Sequence, residues 1–320
     1  MMPQRQEESI PSLQLLQPNG TVLGQVLVCA SVGLLEPQTL PRSGTYTIFL
    51  DPVGTSTGTV SVNVYDVVDV ATSIAINGSA ITAALTTPGQ NARLPFTGTA
   101  GQRVSVAVTV TSGGFGCTAP IQIRKAVDDS VVASVQMCGN TGFLDPVTLP
   151  ASGGYIAVVD PIGASTGTAT VNLYDVVDVT TPIVANASAV TAALTTPGQK
   201  ARLPFTGTAG HAMSVNVVTT SGAFGCTTPI QIRKAADDTQ IGTVSMCGSA
   251  GFLDPLILPA NDSYVVVVDP IGSTTGTATI NLYDVVDVTT PIVAGSSVSA
   301  ALTTPGQNAR LPSPVRLLIE

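Results

Sequence analysis

Residues Arg103-Val-Ser-Val-Ala-Val-Thr-Val110 place a valine at every second position. Ile121-Gln-Ile-Arg124 and Thr168-Ala-Thr-Val-Asn-Leu-Tyr174 alternate in the same way. Successive residues of a β-strand point to opposite faces of a sheet, so this period of two gives each segment one apolar face. No helical spacing competes with it. Working outward over 70–178, strands are expected near 79–85, 91–97, 103–111, 120–125, 131–137, 143–148, 155–160 and 167–174. The intervals hold turn residues: Pro88-Gly89, Gly98, Gly113-Gly114, Asp128-Asp129, Gly153-Gly154 and Pro161-Ile-Gly163. Short alternating strands punctuated in this manner predict an all-β protein whose antiparallel sheets pack face to face.

The same pattern returns along the chain. Asp-Pro-Val/Ile-Gly begins at Asp51, Asp160 and Asp269, a period of 109 residues, and Tyr-Asp-Val-Val-Asp-Val begins at Tyr65, Tyr174 and Tyr283 on the same period. Thr-Thr-Pro-Gly-Gln begins at Thr86, Thr195 and, one residue early, Thr303. A period this long is the size of a free-standing domain rather than of a solenoid repeat. The expected organisation is an incomplete β-sandwich repeat over 1–69 that lacks its first strands, complete repeats over 70–178 and 179–287, and the start of a further repeat over 288–320. Val-Asp-Val-Thr-Thr-Pro linkers join the units, with Pro182 and Pro291 stiffening the joints.

Composition narrows the function classes. Of 320 residues only 10% are charged and 4% aromatic, with no Trp, against roughly 25% charged in an average globular protein. That argues against an ordinary cytosolic enzyme. A net charge of -8 with 12 Lys+Arg provides no positive field for a phosphate backbone, so no nucleic-acid partner is expected. Apolar residues make up 44% and mean hydropathy is +0.41, which predicts a folded chain. No apolar run is long enough for a spanning helix, and no apolar leader segment is visible near Met1.

Cys117 and Cys138 recur 109 residues later as Cys226 and Cys247. Each pair is centred on an Asp-Asp turn, Asp128-Asp129 or Asp237-Asp238, so in a hairpin the thiols lie opposite one another. A cross-strand disulfide is the favoured reading and a pair of buried free thiols the alternative. Cys29 keeps the register, but its partner position is Glu8, so it is expected to be a free thiol. Paired cysteines point to an oxidising compartment, hence an extracellular or cell-surface location. With no leader in view, that location implies a piece of a longer chain.

Several runs together resemble a known family. Asn91-Ala-Arg-Leu-Pro-Phe-Thr-Gly-Thr-Ala-Gly-Gln-Arg-Val-Ser-Val106, Ile121-Gln-Ile-Arg124, Leu149-Pro-Ala-Ser-Gly-Gly-Tyr-Ile-Ala-Val-Val-Asp160 and Thr166-Gly-Thr-Ala-Thr-Val-Asn-Leu173 are similar to the bacterial pre-peptidase C-terminal domain. The likeness covers most of each unit. It implies tandem jelly-roll-like antiparallel β-sandwiches, appended to secreted bacterial proteins that include peptidases and surface proteins. The strand near 79–85 and the cysteine pair are additions to that pattern.

Residues able to do chemistry are scarce. His211 is the sole histidine, and its counterpart one period earlier is Gln102 in a turn, so an acid–base group built on it would exist in one unit only. It reads as an exposed turn residue. No catalytic residue is expected and the chain is read as a non-enzyme. Calcium is the one cofactor weighed: Asp145, Asp160, Asp175 and Asp178, repeated as Asp254, Asp269, Asp284 and Asp287, are the candidate ligands, with the Asp128-Asp129 turn beside them. Calcium takes six to eight oxygens converging on one loop, and no Asp-x-Asp-x-Asp-Gly run occurs, so turn capping is favoured over a metal. Gly-rich stretches such as Ser112-Gly-Gly-Phe-Gly-Cys117 open no helix and cannot cradle phosphate. Threonine-rich strand faces offer a flat surface for polysaccharide, but Tyr and Phe fall at core positions. Asn19, Asn77, Asn186 and Asn261 begin Asn-x-Ser/Thr sequons.

The functional expectation is a non-catalytic spacer or interaction module of a secreted or cell-surface bacterial protein. The alternative is a carbohydrate-, matrix- or calcium-binding module accessory to a secreted hydrolase. Head-to-tail self-association is a further possibility, because strands from 297–311 match some that the first unit lacks. They supply counterparts of 79–85 and 91–97 but not of 103–111. After Pro312 the tail departs from the repeat, as the loss of one base in codons for Pro-Phe-Thr-Gly-Thr-Ala would cause.

Overall fold

A computed structural model describes residues 11–28 and 32–314, and every regular element in it is a strand. Cys29, expected as a free thiol, lies outside the described residues. The first repeat forms one small antiparallel sheet of β1 (Ser12–Leu16), β2 (Val22–Leu27) and β3 (Thr47–Asp51), in the order β2-β1-β3. Its hairpin turn is Pro18-Asn19-Gly20, where Gly20 takes φ +82° and the Asn19 carboxamide oxygen accepts the Thr21 N–H. A side chain at Gly20 would be strained by that φ, which is why the turn uses glycine.

The next repeat supplies all eight expected strands: β4 (Ile81–Leu85), β5 (Ala92–Gly98), β6 (Arg103–Gly113), β7 (Ala119–Lys125), β8 (Val131–Met137), β9 (Thr141–Thr148), β10 (Gly153–Val159) and β11 (Gly167–Asp175). They form two sheets, β5-β10-β7-β8 and β4-β11-β6-β9. Numbered within the repeat, these orders are 2-7-4-5 and 1-8-3-6. Each sheet therefore draws strands from both halves of the repeat, the arrangement of a jelly roll. Inward positions alternate with outward ones: Ala92, Leu94 and Phe96 of β5 are buried while Pro95 and Thr97 are exposed. Leu85, Leu94, Val106, Ile121, Ile123 and Phe115 fill the space between the sheets. Tyr155 stacks on Phe96 with centroids 5.6 Å apart, and its hydroxyl donates to the Ala151 carbonyl at 2.6 Å, so the buried ring keeps its polar end satisfied.

The third repeat repeats this design. β12 (Val179–Thr180) precedes β13 (Val190–Leu194), β14 (Ala201–Gly207), β15 (Ala212–Gly222), β16 (Thr228–Lys234), β17 (Gln240–Met246), β18 (Ala250–Ile257), β19 (Asp262–Val268) and β20 (Gly276–Val285). The sheets are β12-β14-β19-β16-β17 and β13-β20-β15-β18. Leu194, Leu203, Ile230, Ile232 and Phe224 make its core, and Tyr264 stacks on Phe205 at 5.6 Å with its hydroxyl on Ala260. Finally β21 (Val288–Thr289) and β22 (Ala309–Arg310) form a short parallel pair.

Both expected disulfides are present, Cys117–Cys138 and Cys226–Cys247, each joining residues 21 apart. They lie just beyond the open end of the β7–β8 and β16–β17 hairpins, next to the Ala119–Met137 and Thr228–Met246 pairs. Gly113 of β6 and Gly167 of β11 meet backbone to backbone. A Cβ on either would collide with carbonyl oxygens of the other strand, and Gly222 and Gly276 stand in the same relation. The chain divides at Tyr174/Asp175 into two compact units.

Candidate functional site

Four of the carboxylates considered for calcium, Asp160, Asp178, Asp269 and Asp287, lie in or beside the segments that lead from one repeat to the next, and those segments are bound rather than free. In the second unit Val179 and Thr180 run parallel to Ala201 and Arg202 as an added edge strand. The backbone N–H groups of Val179 and Ile183 donate to Lys200 and Pro204 carbonyls at 2.9 and 3.0 Å. Two side chains complete the attachment. The Gln199 carboxamide nitrogen donates to the Val177 carbonyl at 2.6 Å, while its oxygen accepts the Thr195 and Thr196 N–H groups. The Asp178 carboxylate accepts the Lys200 N–H at 3.2 Å.

The same clamp occurs twice more. Gln90 holds Val68 and Asp69 accepts the Asn91 N–H in the first unit. Gln307 holds Val286 and Asp287 accepts the Asn308 N–H near the end of the chain, where Arg310 also reaches the Asp287 carboxylate at 2.9 Å. These donations hold the Asp287 carboxyl below the usual carboxylate range, the Asn308 N–H being the largest cause. Sequence reasoning read this stretch as a linker stiffened by proline. Its parallel pairing went unseen because two paired residues leave no periodic signature.

Asp160 and Asp269 close β10 and β19 beside the clamp, and their surroundings differ. The Asp269 carboxylate pairs with Lys200 Nζ at 2.6 Å. In the first unit the position of Lys200 is taken by Asn91. There half-buried Asp160 is pushed up by desolvation, an effect opposed by Arg124 and reinforced by Asp69. Glu36 is raised too, by partial desolvation and then by Asp160. Asp160 thus lies within electrostatic reach of Asp69 on one side and of Glu36 on the other. Nothing in the sequence marks Glu36, whereas Asp69 shares the period of Asp178 and Asp287.

The remaining candidates lie elsewhere. At the β7–β8 turn Asp129 takes φ 57° and binds both Arg93 and Arg124. Partial burial raises its carboxyl, and the two guanidiniums outweigh that and bring it below the ordinary value. Asp238 repeats the arrangement with Arg202 at 2.7 Å and Arg233 at 3.1 Å. Asp128 accepts the Ser130 N–H and hydroxyl, an Asx turn. Asp145 and Asp254 are exposed on β9 and β18, and Asp175 ends β11. His211 is exposed at the turn before β15, as expected, yet its Nδ1 lies 2.7 Å from Asp284 Oδ2, a pairing the sequence does not disclose. Asn186 fixes the same strand end through the Asp284 backbone. Among the described residues, no three His, Cys, Asp or Glu side chains converge as a metal-binding group.

No family model and no curated protein matches the chain. Among solved structures, it is similar over 64% of its length to 98% of the CUB1-EGF-CUB2 domain of human MASP-1/3, at 10% identity and TM-score 0.20. The exported protein XepA of PBSX aligns over 88% of this chain and 100% of its own, at 11% identity and TM-score 0.21. A putative secreted protein from Parabacteroides distasonis aligns over 63% and 86%, at 9% identity and TM-score 0.21. At these scores none of the three informs the activity of this chain.

Proposed function

We propose that this chain is a non-catalytic spacer and interaction module of a secreted or cell-surface bacterial protein, built from pre-peptidase C-terminal-like sandwiches in series. The observation that carries this reading is the clamp. A glutamine and an aspartate attach the incoming segment to the sandwich it enters, at Gln90 and Asp69, Gln199 and Asp178, and Gln307 and Asp287. Only Val176, Val177 and Asp178 separate the last long strand of one unit, β11, from β12 of the next. A segment tied at its entry to the sandwich that follows it is suited to setting spacing. The two disulfides suit an oxidising exterior.

The alternative, an accessory module that binds calcium, matrix protein or polysaccharide, draws on the mutual repulsion of Asp160 with Asp69 and of Glu36 with Asp160, although the three do not converge as a metal-binding group. Calorimetric titration of the full chain with calcium, and a glycan array probed with it, separate the two. The spacer reading expects no saturable heat and no glycan retained. Stoichiometric calcium binding lost in Asp160→Asn would replace it with the accessory reading.

A further inference from the structure

Ser214 is buried where a strand residue should face solvent. Met213, Val215 and Val217 of β15 point into the second core, so alternation turns Ser214 to the outer face of its sheet, together with Asn216 and Val218. Val218 is 37% exposed and Ser214 0%. The turn Thr303-Thr-Pro-Gly-Gln307 of the following repeat reaches it there. The Ser214 hydroxyl donates to the Pro305 carbonyl at 2.9 Å, the kind of partner a fully buried hydroxyl requires. Gly306 takes φ +90°, and a Cβ on it would lie 2.6 Å from Pro255 Cγ and 3.3 Å from Phe252 Cζ of β18. The turn therefore meets the sandwich with its backbone, and glycine is needed both for the dihedral angle and for the approach.

The other compact unit repeats the contact. Leu34, Pro37 and Gly89 hold the places of Phe252, Pro255 and Gly306 in the repeat. Gly89 takes φ +80°, and a Cβ on it would lie 2.9 Å from Pro37 Cδ and 3.8 Å from Leu34 Cδ2. In both units this glycine belongs to the turn whose glutamine clamps the incoming segment, Gln90 on Val68 and Gln307 on Val286. One turn thus grips two things, the segment that enters its own sandwich and the body of the repeat before it.

We infer that Ser214, Phe252 and Pro255 form a docking site for the Thr-Thr-Pro-Gly-Gln turn of the following repeat, and that docking makes the connection a fixed joint. Phe252 and Pro255 supply an apolar seat too close for any residue larger than glycine, and the serine hydroxyl reads one backbone carbonyl of the turn. Seat and clamp act on one tethered segment, so each raises the effective concentration of the other and modest contacts suffice. On the spacer reading, which this site deepens and on which its purpose rests, a docked joint supplies stiffness that a proline linker alone lacks.

Ser214→Cys in the full chain places a thiol under the turn, and its alkylation, followed by peptide mass spectrometry, tests the site. Adding Gly306→Val, which alters a residue outside both cores, is expected to speed alkylation at position 214 about tenfold, the scale of one lost hydrogen bond with its packing. Phe252→Ala, which removes the seat from the sandwich side, is expected to act in the same direction. Nitrogen-15 relaxation of the parent chain gives a second readout that needs no variant: the amides of Thr303, Thr304, Gly306 and Gln307 are expected to be as ordered as those of β15. Equal alkylation rates with and without Gly306→Val, or a parent turn more mobile than β15 on the picosecond–nanosecond timescale, overturns the inference. Calcium or glycan binding would displace the spacer reading and leave these rates as they are, so the two fail separately.

Discussion

Asp160 and Asp269 hold the same place in two copies of one fold and have different neighbours, which makes them opposite tests of one electrostatic argument. Burial and Asp69 raise the Asp160 carboxyl in the folded chain despite Arg124. A carboxyl raised on folding adds stability that is complete below its unfolded pKa and is lost as pH rises through the folded value. Asp160→Asn carries no charge at any pH, so it is expected to raise the melting temperature of the first unit at pH 7. The gain should fade as pH falls below the ordinary Asp range. Asp269→Asn strips Lys200 of its partner and should instead cost up to about 1 kcal/mol at pH 7, the scale of a partly exposed ion pair. Melts of both variants at neutral and acidic pH check the pair, and a loss of stability in Asp160→Asn at neutral pH would contradict the account. Asp129 and Asp238 show the reverse sign. Their lowered carboxyls add stability above the unfolded pKa and lose it as pH falls through the folded value. The period of 109 made the equivalence of these aspartates legible beforehand. Their partners were not, because Lys200 against Asn91 is a one-residue difference and Glu36 enters from the incomplete repeat.

At the scale of elements, the eight strands of a complete unit were legible because each is a period-two run bounded by Gly, Pro or Asp. The hairpin of β7 and β8 was legible from the symmetry of the cysteines about Asp128-Asp129. What escaped was the short parallel strand. Its cause sits in Gln90, Gln199 and Gln307, which read as ordinary residues of a Thr-Thr-Pro-Gly-Gln turn and in fact reach across to the incoming backbone. Gln199→Ala is therefore expected to leave the core intact while hydrogen exchange accelerates at Val179 and Ile183. Unchanged protection there would show that the β12–β14 pairing holds the segment without its side-chain clamp. The disulfide is the other element-scale constraint. It closes a loop between residues 21 apart, worth about 3 kcal/mol in the chain-entropy model. Cys226→Ser with Cys247→Ser should lower second-unit stability by about that amount in denaturant titrations, with Cys117–Cys138 left as an internal control.

For the whole molecule the question is whether repetition of sequence means independence of folding. The cores share no residue: one is built from Ile74 through Leu173, the other from Ile183 through Leu282. Two-state behaviour is a property of a single cooperative core, so a chain with two of them should unfold in two transitions. Phe224 is fully buried in the second core. Phe224→Ala removes its contacts and leaves a cavity, a loss of about 3–5 kcal/mol. Scanning calorimetry should then show one transition moved to lower temperature and the other in place, with Phe115→Ala moving the other one. Sites with no shared partners contribute additively, so the double variant should shift both by the single-variant amounts. If Phe224→Ala instead drags both transitions down together, the connecting clamp transmits stability from one sandwich to the next, and the repeats fold as one cooperative array.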